Sequence, residues 1–166
     1  MCIKCMKNKV KILVSVIMIT AIGLIGCNSI LNKDINDKSK VEIYDFMQYK
    51  DSYVGNNSAV GNIIYNLPMN EYVSKFNLQT KNKPYGVTID YKINKDLDYK
   101  NVNDVLEKNA VVLLSLIGNA DIIKFNIDNS IQAFYKYDRA ELEQKYDKNL
   151  NDLFKDNNSI KIFLNI

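Results

Sequence analysis

Carboxylates are the first side chains in this chain that could do chemistry. Asn94, Asp96 and Asp98 alternate like the opening of a calcium loop. The sixth position is Tyr99 where such a loop needs Gly, and the twelfth is Val105 where it needs Glu, so the spacing argues against calcium. Asp90, with Asp138, Glu141 or Glu143, could supply the two carboxyl groups of a glycosidase, which stand about 5–9 Å apart. Solvated faces and helix caps account for the same acids. The chain has no His, which removes imidazole triads and His-liganded metals. Residues 53–57 hold one Gly, too few for a phosphate loop, and no Ser sits in a nucleophile elbow. No metal or cofactor is expected.

Arg139 is the only Arg. It falls in the first turn of an expected helix, where a cation opposes the helix dipole at about 0.3–1 kcal/mol. Something should compensate. One reading is a fixed salt bridge to Asp90, Asp121 or Glu143, the usual work of a planar guanidinium. The other is an anionic ligand or partner.

The start of the chain says more. Residues 1–11 carry four lysines and no acid, and residues 12–26 carry no charge. Basic then apolar is the order of a secretory signal. A spanning helix needs roughly 20 apolar residues, more than this run offers. The run ends Leu24-Ile25-Gly26-Cys27, which resembles the lipobox of bacterial lipoproteins. That resemblance implies a diacylglycerol thioether on Cys27, palmitate labelling, and cleavage that makes Cys27 the first mature residue. Expected organisation is therefore a signal peptide over 1–26, a lipidated flexible tether over 27–42 and a single domain over 43–166. The polar tether reaches roughly 20 Å. Removing residues 1–26 takes four lysines, so acids then outnumber bases by one. The net charge of +3 belongs to the signal and gives no reason to expect nucleic acid. With Cys2 and Cys5 removed and Cys27 acylated, no thiol would remain, so the core alone must hold the domain.

Periodicity gives the elements. Val60, Ile63, Ile64 and Leu67 share one helix face, with Asn57 or Ser58 as cap and Pro68 as stop. Residues 72–80 and 85–93 read as a hairpin, with Val87, Ile89, Tyr91 and Ile93 on one face. A long helix from about residue 101 runs into the apolar stretch 110–117, which is either its deeply buried end or a strand, with the helix preferred. A second hairpin covers 121–137. A third helix opens at Asp138, with Glu141 completing a capping box, and the tail 159–166 leans to helix. Lys75-Phe76-Asn77-Leu78 recurs as Lys124-Phe125-Asn126-Ile127, 49 residues on. That recurrence is either an α-β-β duplication or coincidence among common residues. The expected fold is α+β: a two-layer sandwich, with an antiparallel four-stranded sheet, helices on one face, and an open face rich in Tyr, Thr, Asn and Asp.

Two segments carry a further resemblance. Tyr49-Lys50-Asp51-Ser52-Tyr53-Val54-Gly55-Asn56-Asn57, running on to Ile63-Ile64-Tyr65-Asn66-Leu67-Pro68, is one. Lys83-Pro84-Tyr85-Gly86-Val87-Thr88-Ile89-Asp90-Tyr91 is the other. They resemble a domain of unknown function found in lipoproteins of Gram-positive bacteria and fused to membrane metallopeptidases of the beta-lactam-sensor type. The resemblance spans about residues 45 to 156. In that family a Tyr-Thr-Arg run opens the last helix, and here it reads Tyr137-Asp138-Arg139. It implies a place at the cell envelope and no particular activity.

These readings converge on a lipid-anchored, extracytoplasmic module at the cell membrane that binds or senses an envelope protein or cell-wall ligand. Arg139, Tyr53, Asn57, Tyr85 and Tyr91 are its candidate contact residues, since tyrosine offers an apolar body with a polar tip. A carboxylate hydrolase acting on wall glycan and a structural envelope lipoprotein are the alternatives. The anchor is directly testable. A Cys27→Ser chain should fail to label with radioactive palmitate and should leave the membrane fraction, and continued labelling with membrane partition would refute the lipobox reading.

Overall fold

Apolar residues at every second position make 85–93 a strand that must be buried on one face, and the computed structural model places it near the middle of the sheet. It describes residues 44–93, 99–129 and 132–166. The expected signal, Cys27, the tether and the run from Asn94 to Asp98 lie outside the described residues. Helix α1 (Asn57–Ile64) leads to strands β1 (Val73–Gln79) and β2 (Gly86–Lys92), then to the long α2 (Tyr99–Leu116). Strands β3 (Ile122–Asp128) and β4 (Ala133–Asp138) follow, then α3 (Arg139–Tyr146) and α4 (Asn157–Leu164). Short 3-10 turns sit at Met47–Tyr49, Asn70–Tyr72 and Leu150–Asp152. The class is α+β.

The sheet is mixed, where four antiparallel strands were expected. Its order is β1-β2-β3-β4; both hairpins are antiparallel, but β2 and β3 run parallel, with Gly86 beside Ile122 and Lys92 beside Asp128. Chain lengths explain the difference. Seven residues of β2 rise about 23 Å, and the 18 residues of α2 carry the chain back about 27 Å. β3 therefore starts at the end where β2 started, which is what a helical crossover does. The approach is close there: a Cβ on Gly86 would stand 2.6 Å from the Ile122 carbonyl oxygen, so only glycine fits.

Strand polarity also decides the 49-residue recurrence. β1 and β3 match at that offset end to end, yet they run in opposite directions. A rotation that turned β1 into β3 and kept the strand order would reverse the face. Phe76 and Phe125 instead pack on the same buried side, so the recurrence is not a geometric duplication.

Inward rows run across the sheet: Phe76, Ile89, Phe125 and Tyr135 form one, and Leu78, Val87, Ile123 and Tyr137 the next. The Tyr91 and Phe125 rings stack, centroids 5.8 Å apart and nearly coplanar in orientation at 8°. Helix α1 fits tightly over β1, since a Cβ on Gly61 would meet the Phe76 ring at 3.2 Å. Asn56 caps α1 through Ala59 N–H, one residue before the expected cap. At α3 the expected capping box is missing. Asp138 turns to Lys136, 2.9 Å away, and a left-handed Asp147 ends the helix. The capping box occurs instead at α4, between Asp156 and Ser159. The first described residues are pinned to helices. Tyr44 donates its hydroxyl to the Asn62 carbonyl at 2.6 Å, and Asp45 accepts from the Asn157 amide at 2.6 Å.

The end of α2 sets the central constraint. Residues 110 to 114 are fully buried, so the final carbonyls of the helix cannot reach water. Each finds a donor. Ile117 N–H bonds Leu113 O at 2.9 Å, and Ser52 N–H bonds Leu116 O at 3.0 Å. Lys50 Nζ donates to Ser115 O at 3.1 Å and also to the Asn151 carbonyl. Arg139 covers the rest: Nη2 donates to Leu114 O at 2.6 Å and Ile117 O at 3.0 Å, and Nε to Ala120 O at 2.8 Å. Its Nη1 donates to Asn151 Oδ1 at 3.2 Å and lies 3.6 Å from Glu143. Two cations at a helix C-terminus also suit its dipole. Arg139→Leu should lower stability by about 3–5 kcal/mol in urea unfolding, because the Leu114 and Ala120 carbonyls lose their donors, the Ile117 carbonyl keeps only Ala120 N–H, and Glu143 loses its cation. Arg139→Lys should recover only part of that, since an ammonium cannot fork across three acceptors.

Candidate interaction surface

Four of the five candidate contact residues converge on one end of the domain. The 53–57 loop is held there by Val54, buried, whose N–H donates to Asn119 Oδ1 at 2.8 Å. Gly55 lies against Thr80 at the end of β1. Tyr53 is 68% exposed, and Asn57 is exposed at the start of α1. Tyr85 is half-buried at the same end: its N–H donates to Asp121 Oδ2 at 2.7 Å, and its carbonyl accepts from Asp121 and Ile122. Lys83 stands 5.8 Å from the Tyr85 ring. Arg139 lies below, its N–H on the Asp121 carbonyl at 2.9 Å. Its guanidinium is engaged by protein acceptors on every side, the fixed bridge to Glu143 among them, and burial lowers its pKa while Glu143 opposes that shift.

Tyr91 is the correction. It is 2% exposed and belongs to the core. The alternation that buries Val87 and Ile89 buries Tyr91 as well. The same rule changes the open face. Tyr91, Tyr135 and Tyr137 pair with inward residues, so the outward positions of the strands carry no tyrosine. They carry two polar rows instead. Lys75, Asp90, Asn126 and Phe134 form one, and Asn77, Thr88, Lys124 and Lys136 the other. Asp90 accepts from Asn126 Nδ2 at 2.5 Å and faces Lys75 Nζ at 3.6 Å. Phe134 is 73% exposed on edge strand β4. Lys124, Lys136 and Phe134 were absent from the contact residues expected from sequence, although period-two alternation already assigned their side.

The carboxylates do not form the expected pair. Asp90 and Asp138 are four residues apart along the strands and two strands apart across them, which separates their backbones by roughly 16 Å. A groove of about 450 Å³ between Pro84, Ile122, Lys136 and α3 does bring Asp121, Asp138 and Glu143 together. Each already has a protein partner: Tyr85 N–H, Lys136, and Arg139 with Leu150 N–H. Among the described residues no cluster of three or more His, Cys, Asp or Glu is placed to hold a metal ion. None of the described helices is long and apolar enough to cross a membrane.

On the far side, a groove of about 490 Å³ between α2, α3 and α4 contains Glu107. Glu107 grips Lys145 through both oxygens at 2.6 and 2.7 Å and accepts from the Tyr146 hydroxyl at 3.0 Å. Burial, then the Glu107 contact, pushes the Tyr146 pKa up to about 12. Burial likewise raises those of Tyr44, Tyr91 and Tyr137. In the unfolded chain these phenols ionise near pH 10, before their folded counterparts. Their stabilisation is therefore complete below pH 10 and is lost as pH rises from 10 towards 12. The urea midpoint should fall across that window, and Tyr146→Phe should reduce the slope.

Comparison with known proteins adds one match. Residues 46–140 fit the family model described as Domain of unknown function (DUF4825), ending before the residue 156 expected from sequence. No curated protein and no solved structure matches the chain.

Proposed function

The chain belongs to the DUF4825 family, and from that premise we propose that it is a lipid-anchored binding or sensing module on the extracytoplasmic side of the cell membrane. The observation that carries the binding part is the outward side of the sheet. Apart from Gly86, its strand residues are exposed or half-exposed, while the other side packs into one apolar core with α1 and α2. This supports the two-layer reading with helices on one face. The anchoring part rests on the basic-apolar-lipobox order of residues 1–27. Cys27 carries the lipid, and the segment to residue 42 is the tether. The chain meets the domain at Tyr44 and Asp45, which bond to α1 and to the start of α4. The open face takes an envelope protein or wall ligand, with Tyr53, Asn57 and Tyr85 at one rim. A DUF4825 domain in a membrane sensor would use the same face.

Two experiments test this. Trypsin added to intact cells stripped of their wall should digest the domain while a cytoplasmic protein survives, and protection of the domain would refute the location. A photo-crosslinker placed at Phe134 should give adducts in living cells, whereas one at Ile162, exposed on α4, should give none. The reverse pattern would move the contact surface to the helices.

A further inference from the structure

The outward side of the sheet has an unbalanced charge. Lys124 and Lys136 stand directly opposite each other on β3 and β4. Like charges in that position repel and destabilise the pair. Lys136 has relief from Asp138 at 2.9 Å. The acid diagonal to Lys124 on β2 is Asp90, already held by Lys75 and Asn126. The Lys124 ammonium has no hydrogen-bond or ion-pair partner among the described residues, and the residue is exposed. Lysines on edge strands discourage sheet-to-sheet pairing, and that accounts for Lys75 and Lys136. It does not account for Lys124, because β3 is a central strand. Lys81 and Lys83 lie in the β1–β2 turn at the end of the same sheet. The outward strand positions and this turn hold six lysines against Asp90, Asp128 and Asp138, yet residues 44–166 as a whole carry one more acid than base. Positive charge is thus concentrated on the sheet side, and compensating acids, among them Asp45, Asp51, Asp121, Asp147 and Asp156, lie in loops outside the helices and strands.

We propose that this face takes a phosphate-bearing polyanionic polymer of the envelope, with Lys124 and Lys136 as its central contacts and Asn77 and Thr88 as neutral hydrogen-bond donors in the same row. The inference rests on the reading of the open face as the contact surface and supplies its ligand class. A pair of adjacent cations flanked in the same row by polar side chains, with further lysines along the sheet, matches a repeating anion better than a single one.

The test uses the full chain in neutral detergent, titrated with linear polyphosphate at low salt. Wild type should bind, with affinity falling as salt rises. Lys124→Gln/Lys136→Gln should bind about tenfold more weakly, while the helix-side control Lys148→Gln/Lys155→Gln should stay within about twofold of wild type. Lys124→Gln alone should also raise the thermal midpoint without ligand, since it removes the repulsion and shows the variant to be folded. Equal affinity in wild type and the sheet-side double variant would overturn the proposal, as would an equal loss in the control. Mixed micelles of phosphatidylglycerol form the second arm. Lysine-dependent binding to them, with polyphosphate inert, would replace the polymer by a lipid surface and overturn the assignment. Detergent binding does not depend on where the protein sits in the cell. A failure here is therefore separable from a failure of the anchored reading, which palmitate labelling reports.

Discussion

A helix that ends inside a protein must hand its last carbonyls to donors other than water, and this requirement organises the domain. The C-terminal turns of α2 are fully buried. Arg139 reaches them from the start of α3, Lys50 from the segment before α1, and Ser52 through its backbone. Elements distant in sequence thereby meet at one point. The Asn151 side chain and carbonyl join the same network through Arg139 and Lys50. A missing donor would leave a desolvated carbonyl, which costs far more than an average hydrogen bond contributes. The cap therefore fixes geometry as well as stability: it sets where the 53–57 loop, the Pro84–Tyr85 turn and the start of α3 lie relative to the sheet.

This gives the two family-like segments a physical meaning. Residues 49–57 contain Lys50 and Ser52, which close the helix end, and Val54 and Asn56, which seat the loop and start α1. Residues 83–91 contain Tyr85, which is tied to Asp121, and Gly86, which admits the close parallel approach of β3. Arg139, within the Tyr137-Asp138-Arg139 run, completes the cap. The segments that carry the resemblance are thus largely those that build the fold. Most outward strand positions, Lys75, Asn77, Lys124, Asn126, Phe134 and Lys136 among them, fall outside these two segments, where composition can change without disturbing the core.

Much of the fold was legible in the sequence because it follows from periodicity. The alternation of Val87, Ile89 and Tyr91 had one physical solution, and the run 110–117, open to helix or strand by composition, is the buried end of α2. The parallel pairing of β2 and β3 was legible too, through the length of the helix between them, but a hairpin-centred reading passes over it. Tyr91 was misplaced by residue type: tyrosine suggested contact, while its phase in the strand put it among core residues. The role of Arg139 was half legible. Its cost at the first turn of α3 pointed to a compensating group, and Glu143 was among those considered. The larger compensation comes from three backbone carbonyls, which are uniform along any chain and leave no trace in sequence. The lysine row was hidden for a similar reason: like-charge contacts across strands depend on register, and register emerges only when the sheet is assembled.

The fastening of Tyr44 and Asp45 has a mechanical consequence. Tyr44 bonds to the end of α1, and Asp45 to the first residue of α4. A pull on the chain from its amino-terminal side is met first by these two helices. Strain would run through α1 and α4 and reach the strands last. The sheet would keep its shape under tension that had already begun to loosen the helices.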